Sequence, residues 1–135
     1  MIFIDSNVLI AYFNERDKNH NLAIKIISNI DKGKYDKPVI SDYIFSEIVT
    51  VTLLKKKEKK IAIEAGKEIL KSKIKIIKVN KEIFNKAWQL FQEYDLKMSF
   101  TDFTNLAILE LLSINQIATF DRDFKKIKNI GLINE

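Results

Sequence analysis

Short apolar runs alternate with longer stretches of helical period along the whole chain, and that alternation most restricts the fold. Ile2 to Ile4, Pro38 to Ile40, Ile74 to Val79, Ile117 to Thr119 and Ile130 to Ile133 read as five strands. Between them, helical patterns run from Ser6 through Phe13, Asn19 to Ile30, Asp42 to Leu54, Lys59 to Leu70, Asn80 through Phe91 and Ser99 to Leu112. Strands joined by helices imply right-handed crossovers and a mostly parallel sheet covered on both faces, which is a three-layer α/β/α domain. The Ile74 to Val79 run alternates with Lys and belongs nearer a sheet edge. Ser6 and Asn80 stand where helix caps are expected. Ile83, Phe84, Ala87, Trp88 and Phe91 recur at helical spacing, so Trp88 and its aromatic neighbours are expected in the core. With 135 residues, 47% of them hydrophobic, and only three Gly and one Pro, the chain suits one domain spanning residues 1–135.

The absence of cysteine excludes a disulfide framework and a thiolate zinc site. The opening IFIDSNVLIAYF has no positive leader and meets a charge at Asp5, and no apolar run is long enough for a bilayer, so a cytoplasmic address with no membrane contact is expected. A net charge of +5 permits attraction to a polyanion. Lys55, Lys56 and Lys57, with Lys59 and Lys60 beyond them, and Lys125, Lys126 and Lys128 form clusters able to contact nucleic-acid phosphates, although a solvated helix end is the plainer use of the first cluster.

In parallel α/β sheets, ligands collect beyond the carboxyl ends of the strands. Asp5 lies just past the first strand, and Asp121 and Asp123 just past the fourth. Glu47 sits among Ile44, Ile48 and Val51 with no Lys or Arg one turn away, and Asp102 opens an otherwise apolar helix. Each has a structural use of its own: Asp5 can favour a helix start, Ser99 and Asp102 form an S-x-x-D capping box, and Asp121 and Asp123 are ordinary turn residues. His20 has no second histidine near it and is given no ligand role. What separate uses leave unexplained is convergence. Four segments deliver carboxylates to one end of the sheet, where each like-charged pair at ~5 Å costs roughly 3 kcal/mol at an effective dielectric near 20. Oxygen ligands without His or Cys suit Mg²⁺ or Mn²⁺, one ion or two, and the chemistry that follows is hydrolysis of a phosphate ester by activated water.

At these residues the chain resembles the PIN-domain family and, within it, the VapC-type toxin ribonucleases. IDSNVLIAYF, SEIVTV, SFTDFTNLAIL and ATFDRDF look like the family's four acidic segments, in order and over essentially the full length. The resemblance implies that Asp5, Glu47, Asp102 and Asp121 are catalytic and bind the metal, that Asp123 is an auxiliary ligand, and that Ser6, Thr119 and Asn105 support them. It further implies a Mg²⁺- or Mn²⁺-dependent endoribonuclease acting on single-stranded or looped RNA, a VapB-like antitoxin as partner, and a homodimer. A housekeeping PIN-type RNA-processing nuclease and a catalytically silent RNA- or protein-binding PIN-like module share the same outline. A receiver-type phosphoacceptor would carry a paired acid after the first strand, and a haloacid-type phosphatase an aspartate at position 7; the residues here are Ser6 and Asn7.

Overall fold

The computed structural model describes residues 1–135, and its centre is a five-stranded parallel sheet. The strands are β1 (Ile2–Ile4), β2 (Pro38–Ser41), β3 (Lys75–Ile77), β4 (Gln116–Ala118) and β5 (Gly131–Ile133). The helices are α1 (Ser6–Phe13), α2 (His20–Asp31), α3 (Asp42–Lys56), α4 (Lys59–Lys71), α5 (Lys81–Glu93) and α6 (Phe100–Leu111), with a 3-10 turn at Arg122–Lys126. Ile2, Phe3 and Ile4 are all fully buried, so successive side chains on both faces of β1 are covered. A parallel strand enclosed in this way reads as an unbroken apolar run, which is why β1 was legible, whereas β3 at the sheet edge keeps an exposed Lys75.

The strand order is β3-β2-β1-β4-β5. The chain moves outward from β1 through β2 to β3, then returns to build β4 and β5 on the other side. β1 and β4 therefore flank the point where strand order reverses, which is where parallel α/β sheets gather ligands beyond the carboxyl ends of their strands. Register fixes the pair: Phe3 lies opposite Ile117 and Ile4 opposite Ala118. The pairing runs on for one residue, because Asp5 N donates to Ala118 O at 2.9 Å.

Two expectations need correction. The cap of α1 is Asp5, not Ser6: Asp5 is extended at φ −73° and ψ 155°, and its side chain accepts from Ser6 N. β1 ends at Ile4, so the acid occupies the single extended position between strand and helix, and Ser6 is already helical. The aromatic neighbours of Trp88 are not core either, because Phe84, Trp88 and Phe91 are 46%, 52% and 42% exposed. Ile83, Ala87 and Leu90 have the same helical spacing one residue out of phase, and that stripe is the one buried against the rest of the protein. Elsewhere the differences are of boundary: β3 is shorter than Ile74 to Val79, and α3 runs two residues past Leu54 before Lys57 closes it in the left-handed conformation. The Asn80 cap and the Ser99–Asp102 capping box are both formed. No helix is long and apolar enough to cross a membrane.

Candidate active site

Asp5 stands at this switch point, just past β1, and is 3% exposed. Its Oδ1 accepts from Ser6 N at 2.8 Å and, at a longer 3.4 Å, from Asn105 Nδ2. Its Oδ2 accepts from the Thr119 hydroxyl at 2.8 Å and from Asn7 Nδ2 at 3.4 Å. All of these donors are neutral, and no Lys or Arg pairs with Asp5. The carboxyl is therefore pushed up to about 7 from its ordinary 3.8, chiefly by burial. The Thr119 hydrogen bond opposes that rise, the charge of Asp102 adds to it, the Ser6 backbone bond opposes it, and the charge of Glu47 adds again.

Thr119 is fully buried just past β4, and its hydroxyl has no capacity to spare. It donates to Asp5 while accepting from Asp121 N at 3.0 Å and from Asn7 Nδ2 at 3.2 Å. Asn7 completes the clamp, because its Oδ1 accepts from Phe120 N at 3.1 Å. The start of α1 and the segment after β4 are thus locked together through side chains. Asn7 is the positioning residue that the sequence did not single out; its signal was the position two after Asp5, on the first turn of α1.

Asp102 is half-buried on the first turn of α6, where its carboxylate accepts from Ser99 N at 3.0 Å. Burial raises its pKa, the Ser99 contacts lower it, and the charges of Asp121 and Asp123 raise it. Asn105 lies one turn on, fully buried, and reaches Asp5 from the same helix face. Glu47 is half-buried on α3 between the fully buried Ile44 and Ile48, with no ion-pair partner. Asp121 Oδ1 accepts from Asp123 N at 2.9 Å and so starts the 3-10 turn, which the fully buried Phe124 anchors. Asp123 differs from the other acids, because Lys126 Nζ stands 3.3 Å from its Oδ1.

Ser6, Thr119 and Asn105 all touch Asp5, Ser6 through its backbone. The charges of Asp102 and Glu47 raise the pKa of Asp5, and those of Asp121 and Asp123 raise that of Asp102, yet no three metal-ligating side chains are drawn together at coordination distance. The donor chemistry nevertheless fits a hard cation. The groups are oxygens, Asp5 has only neutral donors, and the buried Asn105 Oδ1 beside it has no hydrogen-bond partner at all. The spot is rich in acceptors and short of positive charge.

Of the surface lysines, Lys56 Nζ lies 2.7 Å from Glu15 Oε1 and Lys126 is held by Asp123, whereas Lys55, Lys57 and Lys125 are exposed and unpaired. His20 Nδ1 lies 2.7 Å from Ala11 O, away from any carboxylate contact.

A doubly wound parallel sheet with unpaired acids at its switch point is the architecture of a PIN-like domain. The chain belongs to the PIN-domain family: the family's model, PIN domain, matches residues 2–130. It is 27% identical over 150 aligned positions to ribonuclease VapC6 of Methanocaldococcus jannaschii, covering 99% of this chain and 97% of that relative. Among solved structures it is similar to Mycobacterium tuberculosis VapC20, described as a sarcin-ricin loop cleaving toxin, with a TM-score of 0.81 at 22% identity over 93% of this chain and 94% of that one. It is also similar to a chain of VapBC2 from Rickettsia felis bound to a DNA fragment from its promoter, with a TM-score of 0.70 at 18% identity over 98% and 97% of the two chains.

Proposed function

We propose that this protein is a Mg²⁺- or Mn²⁺-dependent endoribonuclease of the VapC type, the toxin of a toxin–antitoxin pair. The observation that carries the proposal is a buried Asp5 with no cationic partner, lying in the field of Asp102 and Glu47. Asp5, Asp102, Asp121 and Glu47 would hold the ion, with Asp123 at the rim, partly neutralised by Lys126. Like charges keep such side chains apart, and a cation in their midst removes the reason for that separation. When bound, Mg²⁺ or Mn²⁺ supplies Lewis acidity that lowers the pKa of water and offsets charge on a phosphodiester.

The protein's own residues do the rest. Thr119 and Ser6 N fix both oxygens of Asp5, so its lone pairs face one way before any ligand arrives. Asn7 holds the end of β4 against α1, which keeps Asp121 in step with Asp5. The capping box holds Asp102 at the mouth of α6. Burial excludes water from one side of the centre and strengthens every charge interaction there.

The likeness to ribonuclease VapC6 and to the VapC and VapBC2 structures supports an antitoxin partner and an RNA substrate, and a cytoplasmic address goes with that reading. A homodimer is supported by the exposed rings of Phe84, Trp88 and Phe91, of which Trp88 and Phe91 stack at 5.7 Å. Trp88→Lys is expected to turn a sedimenting dimer into a monomer while changing unfolding stability by less than ~1 kcal/mol, since the ring is half exposed. A dimer unchanged by Trp88→Lys removes this face from the interface.

The test of function is incubation of the purified protein with cellular RNA, with cut sites mapped by end sequencing. Cleavage at discrete sites with Mn²⁺ or Mg²⁺, abolished by EDTA and restored by adding the ion back, is the expected result. Cleavage that persists in EDTA contradicts the metal-dependent reading.

A further inference from the structure

Beside Asp5 lies a second feature that the acidic centre does not use. An open cavity of about 320 Å³ has Asn7, Arg16, Asp17, Lys18, Lys55 and Phe120 in its lining, together with Asn14 and Asn19. That volume falls at the lower end of ligand pockets, which run ~300–1,000 Å³. Asn7 belongs to both places: its amide reaches Asp5 Oδ2 at 3.4 Å, and its side chain forms part of the cavity wall. The cavity therefore begins one side chain away from the acid.

Its charge is the opposite of its neighbour's. Arg16, Lys18 and Lys55 are exposed and have no carboxylate within ion-pair distance. The one acid, Asp17, is engaged through Oδ1 in accepting from Asn19 N at 2.8 Å. Asn19 stands at the cap of α2 but makes no side-chain capping bond, so its amide is free, as is the Nδ2 of Asn14, whose Oδ1 accepts from Arg16 N at 3.1 Å. Phe120 contributes a half-buried ring. Unpaired cations, an Asn19 amide free to donate and accept, the free Nδ2 donor of Asn14 and an aromatic ring are what one unstacked nucleotide requires: charge for the phosphate, hydrogen bonds for the base edge, a surface for its face. An acidic peptide would use the cations and leave the amides and ring idle.

We infer that this cavity is a nucleotide subsite, holding the phosphate and base of a single-stranded RNA next to the bond over the acidic centre. The inference rests on the nuclease reading and deepens it. A substrate strand repelled by the acids is held beside them by Arg16, Lys18 and Lys55.

The test uses the Asp5→Asn protein, which is expected to bind without cutting, and a fluorescent single-stranded 12-mer RNA followed by anisotropy across a salt series. Adding Arg16→Ala and Lys18→Ala is expected to weaken binding tenfold or more and to flatten the salt slope by ~1.4, from two lost single-strand phosphate contacts. The charge-matched pair Lys67→Ala and Lys71→Ala, on α4, is expected to change binding less than twofold. With Asp5 restored, the Arg16 and Lys18 substitutions should raise KM and leave kcat within about twofold. Equal weakening by both pairs reduces the effect to net charge and overturns the subsite. So does a variant that keeps RNA binding but loses binding of a poly-glutamate peptide, which would assign the cavity to an acidic protein segment. Unaltered binding and KM in a protein that still cleaves RNA overturns the subsite alone, whereas failure of the wild-type protein to cleave RNA with any divalent ion overturns the nuclease reading and the subsite with it.

Discussion

Asp5→Asn is expected to lower RNA cleavage more than about a hundredfold while making the metal-free protein more stable. The loss follows from the position of Asp5: groups that merely support a metal ligand cost 10- to 100-fold when removed, and the proposed ligand itself should cost more. The gain follows from burial. A carboxyl whose pKa is about 7 in the folded protein and near 3.8 when unfolded opposes folding by up to ~4 kcal/mol once ionised, at about 1.4 kcal/mol per pH unit. Asn keeps one oxygen to accept from Ser6 N and has nearly the same shape. Its new amide faces Asn7 Nδ2 and the Thr119 hydroxyl, which returns roughly 1–2 kcal/mol of the gain. The net expectation is stabilisation of ~1–3 kcal/mol at pH 8 in EDTA, read by urea unfolding. A clean Asp5→Asn preparation with wild-type activity would remove Asp5 from the chemistry.

The second large effect is the pH dependence of the metal-free fold. Below pH 3.8 Asp5 is protonated in both states, and its contribution to stability is fully present. As pH rises toward 7 the unfolded chain releases this proton first, so folding loses up to ~4 kcal/mol, and above 7 the loss is complete. Asp102, raised mainly by burial, acts in the same direction. Glu15 and Asp36, lowered by Lys56 and by the amino terminus, act in the opposite one at lower pH. The difference between wild type and Asp5→Asn isolates the Asp5 contribution: it should be small at pH 4 and grow through pH 7. Mn²⁺ at a hundred times its Kd should restore ~2.7 kcal/mol to wild type at pH 7.5 and little to Asp5→Asn. A stability difference independent of pH would mean that Asp5 is not strained by its burial.

Much of this was legible because the physics behind it is local. Fully covered parallel strands read as apolar runs, and Asn80 and Ser99 mark helix starts by the same hydrogen bonds they make in the folded protein. The placement of acids just past β1 and β4 was readable along the chain, whereas the adjacency of β1 and β4 in the sheet was not. What stayed hidden depends on partners distant in sequence. The Lys56–Glu15 bridge spans 41 residues, and the Asn7 contact with Thr119 spans 112. The cavity of Arg16, Lys18 and Lys55 joins the α1–α2 connection to the end of α3, and no spacing rule links those segments. On α5 the pattern was present but double: two apolar stripes one residue apart compete, and periodicity cannot say which one α6 covers.

The most direct measurement is a crystal grown with Mn²⁺, the ion located by its anomalous scattering. The expected result is a peak about 2.1 Å from carboxylate oxygens of Asp5 and Asp102, with Asp121 or Glu47 completing the protein's share of the shell. A peak elsewhere, or Asp5 still held only by Ser6, Thr119 and the two asparagines at saturating Mn²⁺, would contradict the proposal that these acids are gathered to hold a metal.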